Sequence, residues 1–374
     1  MNPVRMAMIG GGPGSFMGPV HRRASALDGG LRVVAGAFSR DPARNHAAGQ
    51  DGERVYPDAM ALIAAEAALP ATERAELVAI LTPNDSHADI ALAAVEAGFA
   101  VLCEKPLAHD LAAARRVAAA VQAQTKPFAV AYTYLGYAMV HEIKARVAAG
   151  AIGPVRRVAA NYIQGWLAQP VEKEQAGAAW RTDPACAGIS GCFGDIGVHA
   201  QSLVEFTTGQ PIARVMADIR TCVAGRALDD DGAVLFRLES GAAGVLTASQ
   251  VCTGRQNGLD ITLYGETGSL QWAQERPFEL WQTDADGRVT LITANPSMLI
   301  CPVAKGLLRL PGGHPEGYLE ALANIYRGLV DRIRNRDDGT AMPLPSAFMG
   351  LRSLAFTQAV VASSAARGWI DVED

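Results

Sequence analysis

An aspartate and a histidine four residues apart stand in the run Gly191-Cys192-Phe193-Gly194-Asp195-Ile196-Gly197-Val198-His199. The residues that follow read as a helix opening near Asp195 and stopped by Gly209, and a spacing of four puts Asp195 and His199 on one helix face. The helix dipole favours an acid in a first turn without any chemistry. A histidine on a partly apolar helix is ordinarily a hydrogen-bonded core residue. The same histidine titrates near neutrality unaided, however, so it suits proton transfer at a hydroxyl. Lys105, in Glu104-Lys105-Pro106, is a third group of interest. Taken alone it is a surface lysine at a strand terminus, while a lysine facing a reacting oxygen steadies negative charge or, desolvated, gives up its own proton.

These groups depend on the elements that carry them. Residues 4–9 form an apolar run fit for a buried strand and lead into Gly10-Gly11-Gly12-Pro13-Gly14-Ser15-Phe16-Met17-Gly18, followed by a helical pattern to about residue 27. Strand, glycine turn and helix bring bare backbone and helix N–H groups to a pyrophosphate; the alternative is a tight loop that needs positive φ. With Gly10 and Gly12 as the first two glycines of a dinucleotide fingerprint, the third falls on Gly18, which adds three residues to the loop. The second strand, residues 31–38, ends at Ser39-Arg40. An NAD site usually has an acid here for the ribose hydroxyls, so serine followed by a cation favours NADP(H) over NAD(H). Arg40 is equally suited to a solvated position before the Asp41-Pro42 helix start.

The alternation continues: a helix at 58–67, a strand at 77–81 ending in Thr82-Pro83-Asn84-Asp85-Ser86-His87, and a helix at 88–97. A strand at 100–103 then ends in Glu104-Lys105-Pro106, with a helix at 110–124 and a strand at 127–131. The pattern is that of an α/β, doubly wound parallel sheet over residues 1–131, whose ligands bind at the carboxyl ends of strands. Thr82-Pro83-Asn84 and Lys105 both lie at such ends.

Residues 132–374 read as a second α/β domain with a large, mainly antiparallel open sheet. A helix at 137–150 is followed by strands at 155–164, 215–223, 233–239, 243–251, 260–264, 268–273 and 278–282, several joined by short turns that imply antiparallel pairing. Many alternate apolar and mixed residues, as Leu246, Ala248 and Gln250 do against Val245, Thr247 and Ser249. A wide sheet covered by helices on one side needs a partner on the other, so a homodimer or homotetramer through this sheet is expected. Residues 294–313, rich in Pro and Gly, read as a loop over the site. Late helices are expected at 315–335 and 346–367.

Acidic residues (38) slightly outnumber basic ones (33), and no Lys/Arg run stands out, which is not the footprint of a nucleic-acid or anionic-membrane binder. The six cysteines show no CxxC or paired spacing and read as reduced thiols. With neither an export signal nor a span-length apolar stretch recognised, the chain is expected to be soluble and cytoplasmic. His87, Asp195 and His199 lack the usual spacing of a metal cluster, so no metal is expected.

The glycine loop after the first strand, Glu104-Lys105-Pro106 after a later one, and Gly194-Asp195-x-x-x-His199 further on resemble, in this order and spacing, the Gfo/Idh/MocA family of glucose-fructose oxidoreductase and inositol dehydrogenase relatives. Thr82-Pro83-Asn84-x-x-His87 and Trp180-Arg181 look like further family motifs. The resemblance covers nearly the whole chain and implies an NAD(P)-dependent oxidoreductase acting on a hydroxyl or ketone of a sugar or cyclitol. It puts the catalytic lysine at Lys105, the aspartate at Asp195 and the histidine at His199. Gly312-Gly313-His314-Pro315-Glu316-Gly317-Tyr318 looks like a tract of some sugar-active members. The glycine loop is longer than the commoner compact form.

In this reading Gly10, Gly12, Gly14, Ser15, Phe16, Met17, Gly18, Ser39, Arg40, Thr82, Pro83, Asn84, His87, Glu104 and Lys105 serve the cofactor, with Trp180 and Arg181 at the sugar or the nicotinamide end. Lys105, Tyr134, Trp166, Asp195, His199 and His314 face the substrate, and Tyr132 and Gln164 are within reach of it. His199 takes the proton and Lys105 steadies the oxygen, with Lys105 as base the close variant. A lyase or glycosidase that oxidises transiently with bound NAD(P) would use the same three residues, whereas a non-catalytic sugar-sensing regulator on the same fold has no need of a proton-transfer set, so Lys105, Asp195 and His199 argue against it.

Overall fold

The computed structural model describes residues 2–336 and 341–373. The chain forms two units, Met1–Tyr132 with Leu322–Leu351, and Thr133–Ala321 with Arg352–Asp374.

The first unit is built on six parallel strands, β1 (Val4–Gly10), β2 (Leu31–Ala37), β3 (Arg54–Val55), β4 (Leu77–Leu81), β5 (Ala100–Cys103) and β6 (Phe128–Val130), in the order β3-β2-β1-β4-β5-β6. Successive residues of a strand face opposite sides of its sheet, so the complete burial of β4 and β5 means that both faces are covered. Their sequences are therefore continuous apolar runs rather than alternations. Asp41, Asp58 and Asp110 each accept a backbone N–H in the first turn of the helix that follows, from Arg44, Ala61 and Ala113. The short β3 is absent from the sequence expectations because two residues carry no periodicity. It is held from outside: Arg54 pairs bidentately with the fully buried Glu66, at 2.7 and 2.9 Å. Strand order reverses between β1 and β4, and there the crevice of a dinucleotide fold opens at the carboxyl ends. From residues 322–351, Pro345 accepts the N–H of Val130 and Arg334 pairs with Glu76 at 2.5 Å.

The second unit has a nine-stranded sheet, β7 (Val155–Ile163), β8 (Ile212–Arg220), β9 (Asp231–Leu238), β10 (Ala243–Ser249), β11 (Gly258–Gly265), β12 (Gly268–Ala273), β13 (Glu279–Asp284), β14 (Val289–Thr293) and β15 (Ile370–Asp371), ordered β14-β13-β12-β11-β7-β10-β9-β8-β15. The fold is α/β with a doubly wound parallel sheet and a mainly antiparallel one, as read from the sequence. One pairing departs from the expected rule: β7 and β10 run parallel, because they are distant in sequence and no turn constrains them. Inward residues such as Leu246, Ala248, Ile261, Leu263 and Trp272 are buried under the helices Ala138–Ala148 and Val198–Thr208.

The expected loop at 294–313 contains a helix, Pro302–Leu307. Its approach is pinned by the fully buried Glu142, which pairs with Arg146 and accepts the N–H groups of Ile300 and Cys301 at 3.0 Å. Removing such a buried partner costs on the order of 3–5 kcal/mol. Among the described residues no helix is long and apolar enough to cross a membrane.

Candidate active site

In the first unit the glycine loop is shaped by close backbone approach. Gly10 has φ +84°, and a Cβ there would lie 2.7 Å from the carbonyl of Leu81 at the end of β4. At Gly18 a Cβ would meet the Gly11 carbonyl oxygen at 1.9 Å. Between them Gly12 donates to the Phe38 carbonyl past β2, Ser15 donates to the Gly12 carbonyl, and the Ser15 hydroxyl accepts the N–H of Gly18. The helix Met17–Ala26 starts directly on this loop: its N-cap residue Phe16 supplies no side-chain cap, the nearby Ser15 hydroxyl takes the Gly18 N–H, and glycine backbone lines the approach to this helix start. Gly14 and Phe16 stand at its exposed outer side.

Beyond β2, Asn45 Oδ1 accepts the N–H groups of both Phe38 and Ser39, at 2.7 and 3.3 Å. Arg40 is exposed, and Arg44 donates to the Pro13 carbonyl of the glycine loop. At the end of β4 the Ser86 hydroxyl bonds Thr82 and the Pro83 carbonyl, and Asn84 is buried. His87 is fully buried between two carbonyl oxygens, with Nδ1 2.7 Å from Pro106 and Nε2 2.8 Å from Thr82. Burial pushes its proton affinity down against those two carbonyls and the charge of Glu104. Lys105 is half-buried and precedes a cis bond to Pro106. Glu104 is buried as well. Burial disfavours its charge, yet the hydrogen bond from His21 and the positive charges around it prevail and hold the carboxyl below its ordinary range.

In the second unit the Gly191–His199 run is anchored by Asp229. Its carboxylate accepts the N–H groups of Gly191 and Phe193 at 2.9 and 3.0 Å, and its carbonyl accepts that of Cys192. Phe193–Gly197 is a π-helical turn in which the Val198 N–H reaches the Phe193 carbonyl, and the regular helix Val198–Thr208 follows, closed by Gly209 at φ +68°. The expected helix is present, with a wider opening than expected; single π turns recur at functional sites. Asp195 Oδ2 accepts Arg181 Nε at 3.1 Å and Gln250 Nε2 at 2.9 Å. The Arg181 guanidinium lies 4.2 Å from the ring centroid of Trp180 and 5.9 Å from that of Trp166.

His199 packs edge-on to Tyr134, with centroids 4.8 Å apart, and lies 6.0 Å from the ring of Tyr162. The two tyrosine hydroxyls are 2.5 Å apart. Tyr162 donates to Asn257 Oδ1, which also accepts Gln164 Nε2, and Gln164 Oε1 accepts the indole N–H of Trp166. Burial, then the neighbouring Tyr134, raises the Tyr162 hydroxyl well above its usual range and keeps it a donor, and the Asp195 charge adds to the same effect. Asp195, His199, Tyr134, Gln164, Trp166, Trp180 and Arg181 thus belong to one network. His314 is exposed and bonds Pro311 of its own turn, and Tyr132 is fully buried in the first unit.

Residues 4–132 match the model of an oxidoreductase family with an NAD-binding Rossmann fold, GFO/IDH/MocA, and residues 140–271 match the GFO/IDH/MocA C-terminal domain. Over 347 residues the chain is 34% identical to the uncharacterized oxidoreductase YfiI of Bacillus subtilis (strain 168), covering 90% of this chain and 87% of that one. The chain belongs to the GFO/IDH/MocA family. It is an NAD(P)-dependent oxidoreductase acting on CH–OH groups. A levoglucosan dehydrogenase of Pseudarthrobacter phenanthrenivorans is 28% identical over 79% of this chain and 80% of its own. An inositol dehydrogenase homolog from Azotobacter vinelandii, solved with NADH and myo-inositol, has a TM-score of 0.91 and 32% identity, covering 99% of this chain and 98% of that one.

Within this GFO/IDH/MocA chain, sequence reasoning missed His21, Tyr326, Asp229, Asn257 and Gln250 as partners of the named residues. Only Gln250 left a usable trace, since it continues the inward alternation of Leu246 and Ala248. The others act across sequence distance, where local pattern carries no signal.

Proposed function

We propose that the protein is a dehydrogenase or reductase of an uncharged sugar, sugar derivative or cyclitol, with Lys105, Asp195 and His199 as its catalytic residues. The observation that carries this reading is the carboxylate of Asp195, fixed by Arg181 and Gln250 in the same network as the hydroxyl and amide groups of Tyr134, Tyr162, Gln164 and Asn257. A surface that alternates donors and acceptors in this way suits neighbouring hydroxyls. Arg181 in this network is already paired with Asp195, which disfavours its holding a phosphate. The relatives that act on levoglucosan or bind myo-inositol support the same class.

The loop fits a dinucleotide: a side chain at Gly10 or Gly18 would collide with the Leu81 or Gly11 carbonyl and break the tight turn that carries the chain into the helix, whose N-terminal end favours a pyrophosphate. Gly10, Gly12, Gly14, Ser15, Phe16, Met17 and Gly18 hold that end, with Thr82, Pro83, Asn84, His87 and Glu104 lining or bracing the strand ends. Bound there, the nicotinamide supplies or accepts the hydride. His199 takes the hydroxyl proton, Lys105 hydrogen-bonds the reacting oxygen and opposes its developing charge, and Asp195 orients the ring through an adjacent hydroxyl. Lys105 as the base is the close variant. Trp166 and His314 complete the substrate contacts. Ser39 in place of an acid, with Arg40 and Arg44 beside it, supports a preference for NADP(H), although the structural relative carries NADH.

The chain works as a homo-oligomer through the outer face of its second sheet. Met216, Leu235, Val245, Ala159, Thr262, Gln271, Trp281 and Leu291 are successive partners across eight strands, and several are exposed. Arg214 and Arg237 flank this row on one side and Asp218 and Asp260 on the other. A two-fold along the row sets arginine against acid, whereas one along the strands sets arginine against arginine. The six unbonded cysteines support a reducing, cytoplasmic setting.

A screen of inositols, pyranoses and glycosides with both dinucleotides, read by the absorbance of the reduced nicotinamide, tests the reading. Lys105→Ala and His199→Ala each abolish turnover of the responding substrate while dinucleotide binding survives. Near-native turnover in either variant removes that residue from the catalytic set, and substrate loss without reduced nicotinamide favours the transient-oxidation alternative.

A further inference from the structure

Lys105 sits at the end of a chain of buried hydrogen bonds that lies wholly within the first unit. Tyr326, on the helix Tyr318–Ile333, places its hydroxyl 2.6 Å from His21 Nδ1. His21 Nε2 lies 2.8 Å from Glu104 Oε1, and Glu104 Oε2 accepts the backbone N–H of Lys105 at 3.1 Å. His21 and Tyr326 are fully buried, and Glu104 is nearly so.

A carboxylate only accepts, so His21 Nε2 carries a proton and donates to Glu104; in the neutral imidazole Nδ1 then accepts from the Tyr326 hydroxyl. Every member has a partner, which makes such a network stiff and makes the loss of one member costly. Beyond Lys105, the Pro106 carbonyl meets His87, so the lysine backbone is tied on both sides.

We propose that Tyr326, His21 and Glu104 form a positioning relay that fixes the backbone from which the Lys105 side chain reaches the reacting oxygen. None of the three acts on substrate itself. The relay also joins Lys105 to the helix that opens on the glycine loop, because His21 stands three residues after Gly18. The inference rests on the catalytic reading of Lys105.

Steady-state kinetics with NADP(H) or NAD(H) and the polyol that responds best test both. Tyr326→Phe lowers kcat roughly 10- to 100-fold while the KM for dinucleotide stays within about threefold, and Glu104→Gln lowers kcat to a similar extent, because a small misplacement of a reacting group is costly. His21→Gln, which keeps a donor toward Glu104, recovers most of what His21→Leu loses. Activity is expressed per dinucleotide-binding site and measured well below the melting temperature, so a variant that folds poorly is not counted as a slow one. In ¹⁵N-histidine spectra His21 shows the Nε2–H tautomer, and its signal moves in Tyr326→Phe. A kcat that stays native in both Tyr326→Phe and Glu104→Gln, or a His21 protonated on Nδ1 alone, overturns the relay. A native kcat in Lys105→Ala overturns the catalytic reading instead.

Discussion

Arg181 Nε lies 3.1 Å from Asp195 Oδ2, so the carboxylate proposed to orient the substrate is held by a side chain from a different helix, Ala176–Arg181. Gln250, at the end of β10, meets the same oxygen at 2.9 Å. Both side chains of the ion pair are largely shielded from solvent, so screening weakens it less than it would a surface pair. Arg181→Leu is expected to lower kcat/KM for the polyol about 10- to 100-fold. Asp195→Asn should cost at least as much, and the double variant little more than Asp195→Asn alone, since residues that act as one unit are strongly non-additive. A double-mutant cycle on kcat/KM checks this; additive losses would separate the two residues.

Cofactor choice is tested at the end of β2. The wild-type chain is expected to show a KM for NADP(H) roughly tenfold below that for NAD(H), and Ser39→Asp to reverse the order by returning an acid to the position that meets the ribose hydroxyls. Paired Michaelis constants decide it, and a strong native preference for NAD would end the proposal.

Acid stability is set partly by His141. It is buried, donates from Nε2 to the Leu135 carbonyl at 2.9 Å, and packs edge-on to Phe206. Burial first, then the Lys144 charge, lowers its pKa to about 4 against the carbonyl that raises it. A histidine whose folded pKa is depressed adds stability above its unfolded pKa near 6.5 and loses it as pH falls toward 4. At about 1.4 kcal/mol per unit the loss is on the order of 3 kcal/mol. Urea unfolding of wild type and His141→Phe between pH 7 and 4 should show a steeper decline for the wild type, and parallel curves would contradict it.

Assembly is tested on the outer face of the nine-stranded sheet. Leu235→Glu together with Trp281→Glu should give a monomer in light scattering at micromolar concentration. Under the two-fold along the apolar row, Arg214→Glu weakens the assembly and Asp218→Arg in the same chain restores it. A monomeric wild type would rule out the surface.

The first unit was legible because each signal was local. Complete burial of β4 and β5 wrote continuous apolar runs, and Asp58 and Asp110 announced helices by capping them. The missed elements lacked such marks. In β14 the outward Val289 and Leu291 are apolar while only Ile292 is buried, so the alternation carries no contrast. The helix Pro302–Leu307 is one short segment that contains Lys305 and Gly306 and starts at a cysteine. At the site, Lys105, Asp195 and His199 could be named from motifs, whereas their supports could not. Asp229 reaches Gly191 across 38 residues and Tyr326 reaches His21 across 305, distances over which no periodicity survives.

The wide turn at Phe193–Gly197 has a bearing on how the site could change over time. A π turn is an α-helix holding one residue too many, and each residue of a regular helix advances about 100° around the axis. Deleting one residue from a regular helix would swing one side of the cut by that angle against the other, whereas the wide turn already takes up a surplus residue, so a single loss there would leave the turns on either side close to their present register. A lost codon at this corner would therefore narrow the turn while His199 kept its place.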